Sequence, residues 1–303
     1  MTIRLLKITF LFLLVLSTKQ GYSSFYPLHT KSHGFYNPER SKVYIGLCVG
    51  HTSYFGDLDN NSLHIPFYRP FGAQILMERE VFNSLRLSVG FFMGNIYGDE
   101  RTAQRNLNFK TSLLAPHIGL SCKLAQFYQR RLSLFLFAGA EMIFFNASGD
   151  LKNTIGETYY YWADGTVRNL PDIPSNQSSA SVIKPDLKYE ADYRNLNFDN
   201  VSPYPRTTLA IPAGLFIDAN LNRGFDLRVG ATYHYTFTDY LDNITANSIG
   251  SRKGNAATDK FLFSYVGIIY NLPVAKANRP STNSCGFKEK EIDHKKSVKR
   301  KRK

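Results

Sequence analysis

The chain has 303 residues, of which 43% are hydrophobic, with a formal net charge of +13 and a mean hydropathy of −0.26. That is ample for a large core, but past the N-terminus no run reaches the ~20 consecutive apolar residues of a membrane helix. The charge is concentrated: Lys288–Lys303 holds nine Lys or Arg against three acidic residues, a net +6. The N-terminal stretch adds Arg4, Lys7 and Lys19. The body between them is close to balanced, so no nucleic-acid-binding surface is expected on it.

Arg4 and Lys7 precede the apolar run Ile8–Leu16, and polar and small residues follow to Ser24. Residues 1–24 therefore read as a secretory signal peptide, too short to anchor, and 25–41 as a lead-in. Cys48, Cys122 and Cys285 have no CxxC or ligand spacing, so neither a disulfide framework nor a metal site is expected.

Alternation of apolar and polar residues marks eight strands. The first, Lys42–Phe55, sets Val43, Ile45, Leu47 and Val49 against Tyr44, Gly46 and Cys48. A weaker second runs over Phe67–Arg79, ending in a tight turn at Val81–Ser84. The third is Leu85–Tyr97, and a polar loop, Gly98–Asn106, separates it from the fourth at Asn108–Leu124. Phe127–Arg131 is a tight turn into the fifth, Leu132–Asn146. From Ala147 to Arg206 the periodicity stops, over a length that marks a functional or partly disordered connection. The sixth strand is Thr208–Leu221.

The seventh stretch, Phe225–Asn243, is the cleanest, with Phe225, Leu227, Val229, Ala231, Tyr233, Tyr235 and Phe237 on one side and Asp226, Arg228, Thr232, His234 and Thr236 on the other. Small residues and charges of both signs on the polar side, with aromatics towards one end of the apolar side, point to lipid outside and a polar interior. A loop, Tyr240–Thr258, leads to the eighth strand, Lys260–Leu272, whose two faces are both apolar.

Connections after the first, third, fifth and seventh strands read as long and the others as short. An even strand count sorted this way predicts an all-β fold, an eight-stranded antiparallel transmembrane β-barrel over residues 42–272. Its long loops are extracellular, 147–206 foremost, and its termini periplasmic, with 273–303 a basic, disordered periplasmic tail. Tyr54, Phe55, Tyr97, Phe144, Phe145, Phe237 and Tyr240, near the long-loop ends, are expected to form an interfacial girdle.

Three stretches, Ser53–Leu58 (SYFGDL), Asn108–Thr111 (NFKT) and Phe237–Asn243 (FTDYLDN), resemble motifs of the PorG-like outer-membrane β-barrels of Bacteroidota. The resemblance implies a non-enzymatic outer-membrane component of the type IX secretion and gliding machinery, in contact with periplasmic secretion proteins. The 147–206 insertion and the basic tail depart from that pattern.

The inward faces carry Glu78, Arg86, His117, Lys123, Glu141, Asp218, Asp226, Arg228 and His234. In an eight-stranded barrel such residues are expected to form an ion-paired filling rather than a pore. His117, His234, Ser112, Ser121 and Glu141 supply the residue types of a lipid hydrolase but no nucleophile motif, so no catalytic residues, cofactor or metal are assigned. Candidate partner-binding residues are Tyr159, Tyr160, Tyr161 and Trp162 in the long loop, and Lys299, Arg300, Lys301, Arg302 and Lys303 in the tail, where cations suit an acidic protein or anionic headgroups. The expected role is an outer-membrane anchor or accessory in secretion, with a surface adhesin or receptor acting through 147–206 as the alternative.

Overall fold

The computed structural model describes residues 42–58, 70–82, 84–102, 105–128, 131–199, 204–221 and 224–272. The expected signal peptide, lead-in and basic tail, with Lys299 to Lys303, lie outside the described residues.

Eight long strands carry the alternation: β1 (Val43–Phe55), β2 (Phe71–Phe82), β3 (Leu85–Arg101), β4 (Asn106–Phe127), β5 (Leu132–Gly149), β9 (Thr207–Asn220), β10 (Phe225–Thr236) and β11 (Lys260–Leu272). Between β5 and β9 lie the short strands β6 (Tyr160–Tyr161), β7 (Val167–Arg168) and β8 (Ala191–Asp192), followed by a one-turn helix, α1 (Tyr193–Leu196). The long strands pair antiparallel in the order β4-β3-β2-β1-β11-β10-β9-β5, and β5 pairs with β4 to close the ring. Closure matters because an open edge would leave backbone donors and acceptors unpaired in hydrocarbon. The fold is an eight-stranded antiparallel transmembrane β-barrel.

Every second side chain points outward. Leu47 is 60% exposed and Val229 54%, and Ile75, Ile118 and Leu215 on other strands are exposed too. So continuous an apolar surface is costly in water and is the lipid face of a barrel. Aromatic rings mark both ends of this belt. Phe55, Phe71, Phe144 and Phe237 stand exposed towards the long loops, and Phe82, Tyr128 and Phe225 towards the short turns. Of the seven residues expected in the upper girdle, only Phe55, Phe144 and Phe237 stand exposed on the outer face. Tyr54, Phe145 and Tyr240 turn inward, and outward-pointing Tyr97 is covered by Tyr189, its ring centroid 5.5 Å away. The period of two decides this: Tyr54 and Phe55 are neighbours, so one of them must point inward.

The interior is less polar than expected. Phe92, Phe135, Phe216, Phe261 and Phe263 are all buried inside, and Phe135 stacks on Phe216 at 4.9 Å. A barrel this narrow has to be filled with side chains, and rings fill it densely. The eighth strand, ambiguous in sequence, turns Phe261, Phe263 and Tyr265 inward and Val266, Ile268 and Tyr270 outward. Where two strands approach closely only glycine fits: a Cβ on Gly50 would lie 2.0 Å from Ser264 O and 2.7 Å from Tyr265 Cα. Gly50→Val is expected to cost about 1–3 kcal/mol by overpacking, read as a lower urea midpoint of the barrel folded in detergent.

Strand boundaries differ from expectation in an informative way. The second strand begins at Phe71, with 67–69 outside the described residues, and continues through Val81 and Phe82, which were expected to turn. Phe127 belongs to β4 rather than to the following turn. The expected loop Gly98–Asn106 is mostly strand: β3 runs to Arg101, β4 starts at Asn106, and Thr102 N donates to Arg105 O at 2.9 Å in the connection. β5 continues to Gly149, so the long connection starts at Asp150. β3, β4 and β5 thus rise above the other strands, and there their outward residues become polar because lipid no longer covers them. β10 stops at Thr236, and the following residues leave the ladder.

Candidate functional site

Four charged side chains from four strands meet inside the barrel near its short-turn end. Arg228 on β10 holds Glu78 on β2 with Nη1–Oε1 and Nη2–Oε2 contacts of 2.8 Å each. Its Nε also donates to Asp218 Oδ1 on β9 at 2.7 Å and its Nη2 to Oδ2 at 3.0 Å. Arg86 on β3 completes the set, donating to Asp218 Oδ2 at 2.8 Å and Glu78 Oε2 at 3.2 Å. Two guanidiniums and two carboxylates cancel in charge, and the paired forks satisfy the desolvated oxygens. Rings cover the cations: Phe216 lies 3.8 Å below Arg228, and Phe135 4.2 Å and Tyr44 4.3 Å from Arg86. The layer ties β2 and β3 to β9 and β10 through the interior.

Halfway up, His234 Nδ1 lies 2.7 Å from Glu141 Oε1. The His234 ring stacks on Phe261 at 4.2 Å, and Gln74 Nε2 donates to His117 Nε2 at 3.1 Å. The residue types of a hydrolase do not converge here. Ser112 is on the outer face, bonded to Asn95 Oδ1 at 3.0 Å, and Ser121 lies four residues, ~13 Å along the same strand, from His117. Lys123 sits nearer the short turns, 5.8 Å from the Phe135 ring, and half-buried Asp226 accepts from Asn220 Nδ2 at 2.7 Å.

Segment 237–259, most of it in the expected loop Tyr240–Thr258, packs into the upper end. Leu241 and Ile244 are fully buried there, and Thr111 Oγ1 donates to Leu241 O. Tyr54 OH stands 2.8 Å from Asp242 Oδ2 and 2.5 Å from Asp259 Oδ1. Burial, with the neighbouring carboxylates adding to it, raises both carboxyls, Asp259 to about 7. Asp239 is likewise raised to about 7 by desolvation, with Asp57 and Asp242 adding to it. Asp242 and Asp259 are not singled out by the sequence, and Tyr54 only as an expected girdle residue, although Ser53–Leu58, Asn108–Thr111 and Phe237–Asn243, the three stretches that carry the family resemblance, all contribute to this mouth.

The 150–199 region is ordered structure. β8 pairs with the top of β5, Ser148 opposite Asp192, where β9 has already ended. The β6–β7 hairpin packs on the outer face of the raised β3–β4 ladder. Asn106 Nδ2 donates to Trp162 O at 2.9 Å and Thr166 O at 2.8 Å, and Asn108 Nδ2 to Tyr161 OH at 2.6 Å. Trp162 Nε1 donates to Leu170 O at 2.8 Å under the Arg168 guanidinium. Of the four residues expected to contact a partner, Tyr159 and Trp162 are buried and Tyr160 and Tyr161 half-buried, so they build this sheath. Asn108→Ala removes the bond to Tyr161 and the one its Oδ1 accepts from Asp150 N at 3.0 Å. The expected loss is about 1–3 kcal/mol of sheath stability, seen as faster proteolytic cleavage between β5 and β9 in the intact barrel.

No family model matches the chain, and no curated protein matches it in sequence. Solved structures that resemble it include neisserial surface protein A, 12% identical over 76% of this chain and 97% of that one with a TM-score of 0.38. A second is Ail, the attachment invasion locus protein of Yersinia pestis, in complex with the heparin analogue sucrose octasulfate, at 12%, 77% and 97% with a TM-score of 0.34. A third is a major outer membrane protein from Thermus thermophilus, at 11%, 77% and 100% with a TM-score of 0.42. At these values the likeness carries no inference about activity or partners, and the fold rests on the strand pairing itself.

Proposed function

We propose that this chain is a sealed, non-enzymatic barrel of the bacterial outer membrane, long loops outside and both termini in the periplasm, that anchors or assists a secretion or gliding apparatus. The observation that carries the sealed reading is the four-charge layer of Glu78, Arg86, Asp218 and Arg228 beneath a plugged mouth. A filled lumen is unsuited to transport, and what the molecule then offers is its surfaces: a lipid belt, an outer sheath and the periplasmic side. The secretion role is supported by the resemblance of the three mouth stretches to PorG-like barrels and by the cationic tail, which suits an acidic periplasmic partner. A second reading, a surface adhesin or receptor, is favoured by the built sheath with Ile155, Ile173 and Val182 exposed on it.

Planar-bilayer recording and strain phenotypes test this. The mature protein is expected to show no stable conductance, and its deletion to impair secretion. A strain lacking 150–199 that secretes normally but no longer binds its surface ligand would establish the receptor reading instead. A steady ionic current through the wild-type barrel would refute the sealed reading. Crosslinking from Lys299 to Lys303 in intact cells identifies the partner, and capture of periplasmic secretion proteins is the expected result.

A further inference from the structure

Segment 237–259 is fastened to the barrel by an arrangement whose protons can be counted. Asp242 uses Oδ1 to accept from Ile244 N at 2.8 Å, and Asp259 uses Oδ2 to accept from Leu241 N at 2.8 Å. Their remaining oxygens, Asp242 Oδ2 and Asp259 Oδ1, both converge on Tyr54 OH. The phenol has one proton and can donate to one carboxylate only; the other contact is a hydrogen bond only if that Asp keeps its proton and donates to the phenol oxygen. Gly56 packs so closely that a Cβ there would come within 1.8 Å of Tyr54 OH, so the chain shields the group from water.

Among the described residues, the surrounding charges do not supply a substitute. From β1 and the residue run after it come Tyr54 and Asp57, and from the mouth segment Asp239, Asp242 and Asp259. The neighbouring cations are engaged elsewhere: Arg252 with Asn243 O and Asp199, and Arg105 with Asp57 O and Lys253 O. The elements packed from the β4 side present Phe109, 4.9 Å from the Tyr54 ring, and Thr111, neither of which titrates.

We propose that Asp242, Tyr54 and Asp259 form a proton-held latch that keeps segment 237–259 seated in the barrel mouth and lets it go as the medium becomes alkaline. With both carboxylates ionised, two buried negative charges face a single hydroxyl at hydrogen-bond distance, and the seated form loses one bond and gains a repulsion. The sign follows from the raised carboxyls: a group that holds its proton more tightly when seated favours the seated form at low pH. That advantage is fully present below the ordinary carboxylate range, fades as pH rises through about 7, where Asp259 ionises, and is lost once Asp242, whose proton burial and the facing Asp259 hold more tightly, ionises as well. Opening at the top leaves the four-charge layer below in place, so the latch governs access to the upper lumen, lined by His234, Phe92 and Phe261, and does not open a pore.

Hydrogen exchange on the barrel in lipid nanodiscs, between about pH 5 and about pH 9 and corrected for intrinsic exchange, reads the latch directly. Protection of peptides spanning Leu241 and Ile244 is expected to fall at least about tenfold across that range, a change of ~1.4 kcal/mol in the opening equilibrium, while strand amides and gel mobility stay unchanged. Asp242→Asn keeps a donor for the Tyr54 oxygen without a titrating proton and is expected to stay protected at alkaline pH; Asp259→Asn serves if that variant does not fold. Tyr54→Phe is expected to lose protection at every pH. Flat wild-type protection across the range, an alkaline loss in the Asn variants as large as in wild type, or simultaneous unfolding of the strands overturns the latch.

Discussion

Arg228→Ala is expected to cost the folded barrel about 3–5 kcal/mol, the largest loss of any single polar substitution in the lumen. Arg228 makes fork contacts to Glu78 and to Asp218, and all three are buried. Removing it leaves Arg86 alone, held at 2.8 Å to Asp218 and 3.2 Å to Glu78, to balance two desolvated carboxylates. The penalty comes from the stranded charges more than from the lost attraction, which supplies a control. Adding Glu78→Gln to Arg228→Ala equalises the remaining charges, Arg86 against Asp218, and is expected to return roughly half of the loss. Urea unfolding of the barrel in lipid vesicles measures both. A double variant no more stable than the single one would show that the layer is not held by charge balance.

Val229→Arg tests the other face of the same strand. Val229 lies opposite Val266, which lies opposite Val49, so it sits in a row of outward valines at mid-height, between the aromatic ends. An arginine at such depth is expected to cost ~2–4 kcal/mol, and one at Phe225, by the short-turn rim, ~0–1 kcal/mol. The one-residue neighbours Arg228 and Val229 therefore make opposite demands: a charge is required at one and rejected at the other. Equal, small losses at Val229 and Phe225 would mean that water, not hydrocarbon, bathes that surface.

Much of this was legible in the residues. Alternation in β1, β3, β5, β9 and β10 was read correctly because their outward faces are aliphatic and their inward faces mixed. In β11 both faces are apolar, since Phe261 and Phe263 fill the lumen while Val266 and Ile268 meet lipid, and periodicity cannot tell an aromatic filling from a lipid face. The tops of β3 and β4 read as loop in the sequence because Asp99, Arg101 and Asn106 face the β6–β7 sheath rather than lipid. The types in the ion layer were evident, but its pairings were not, since Arg228 and Glu78 are 150 residues apart. The mouth was missed for a different reason. Asp242 and Asp259 lie outside the alternating residues, past Thr238 and before Lys260, and the place of Tyr54 at the end of the first strand fits a girdle residue equally well.

Nitroxide scanning decides which side chains of β10 meet hydrocarbon. Single cysteines from Leu227 to Tyr233, placed in a Cys48→Ala, Cys122→Ala, Cys285→Ala background and spin-labelled in bilayers, report contact with oxygen dissolved in lipid and with a water-borne nickel chelate. The expected result is an oxygen signal of period two, high at Leu227, Val229, Ala231 and Tyr233 and low at Arg228, Gly230 and Thr232, with the chelate excluded from both sets. Chelate access at Leu227, Val229 and Ala231, or a signal without that period, would contradict the barrel described here.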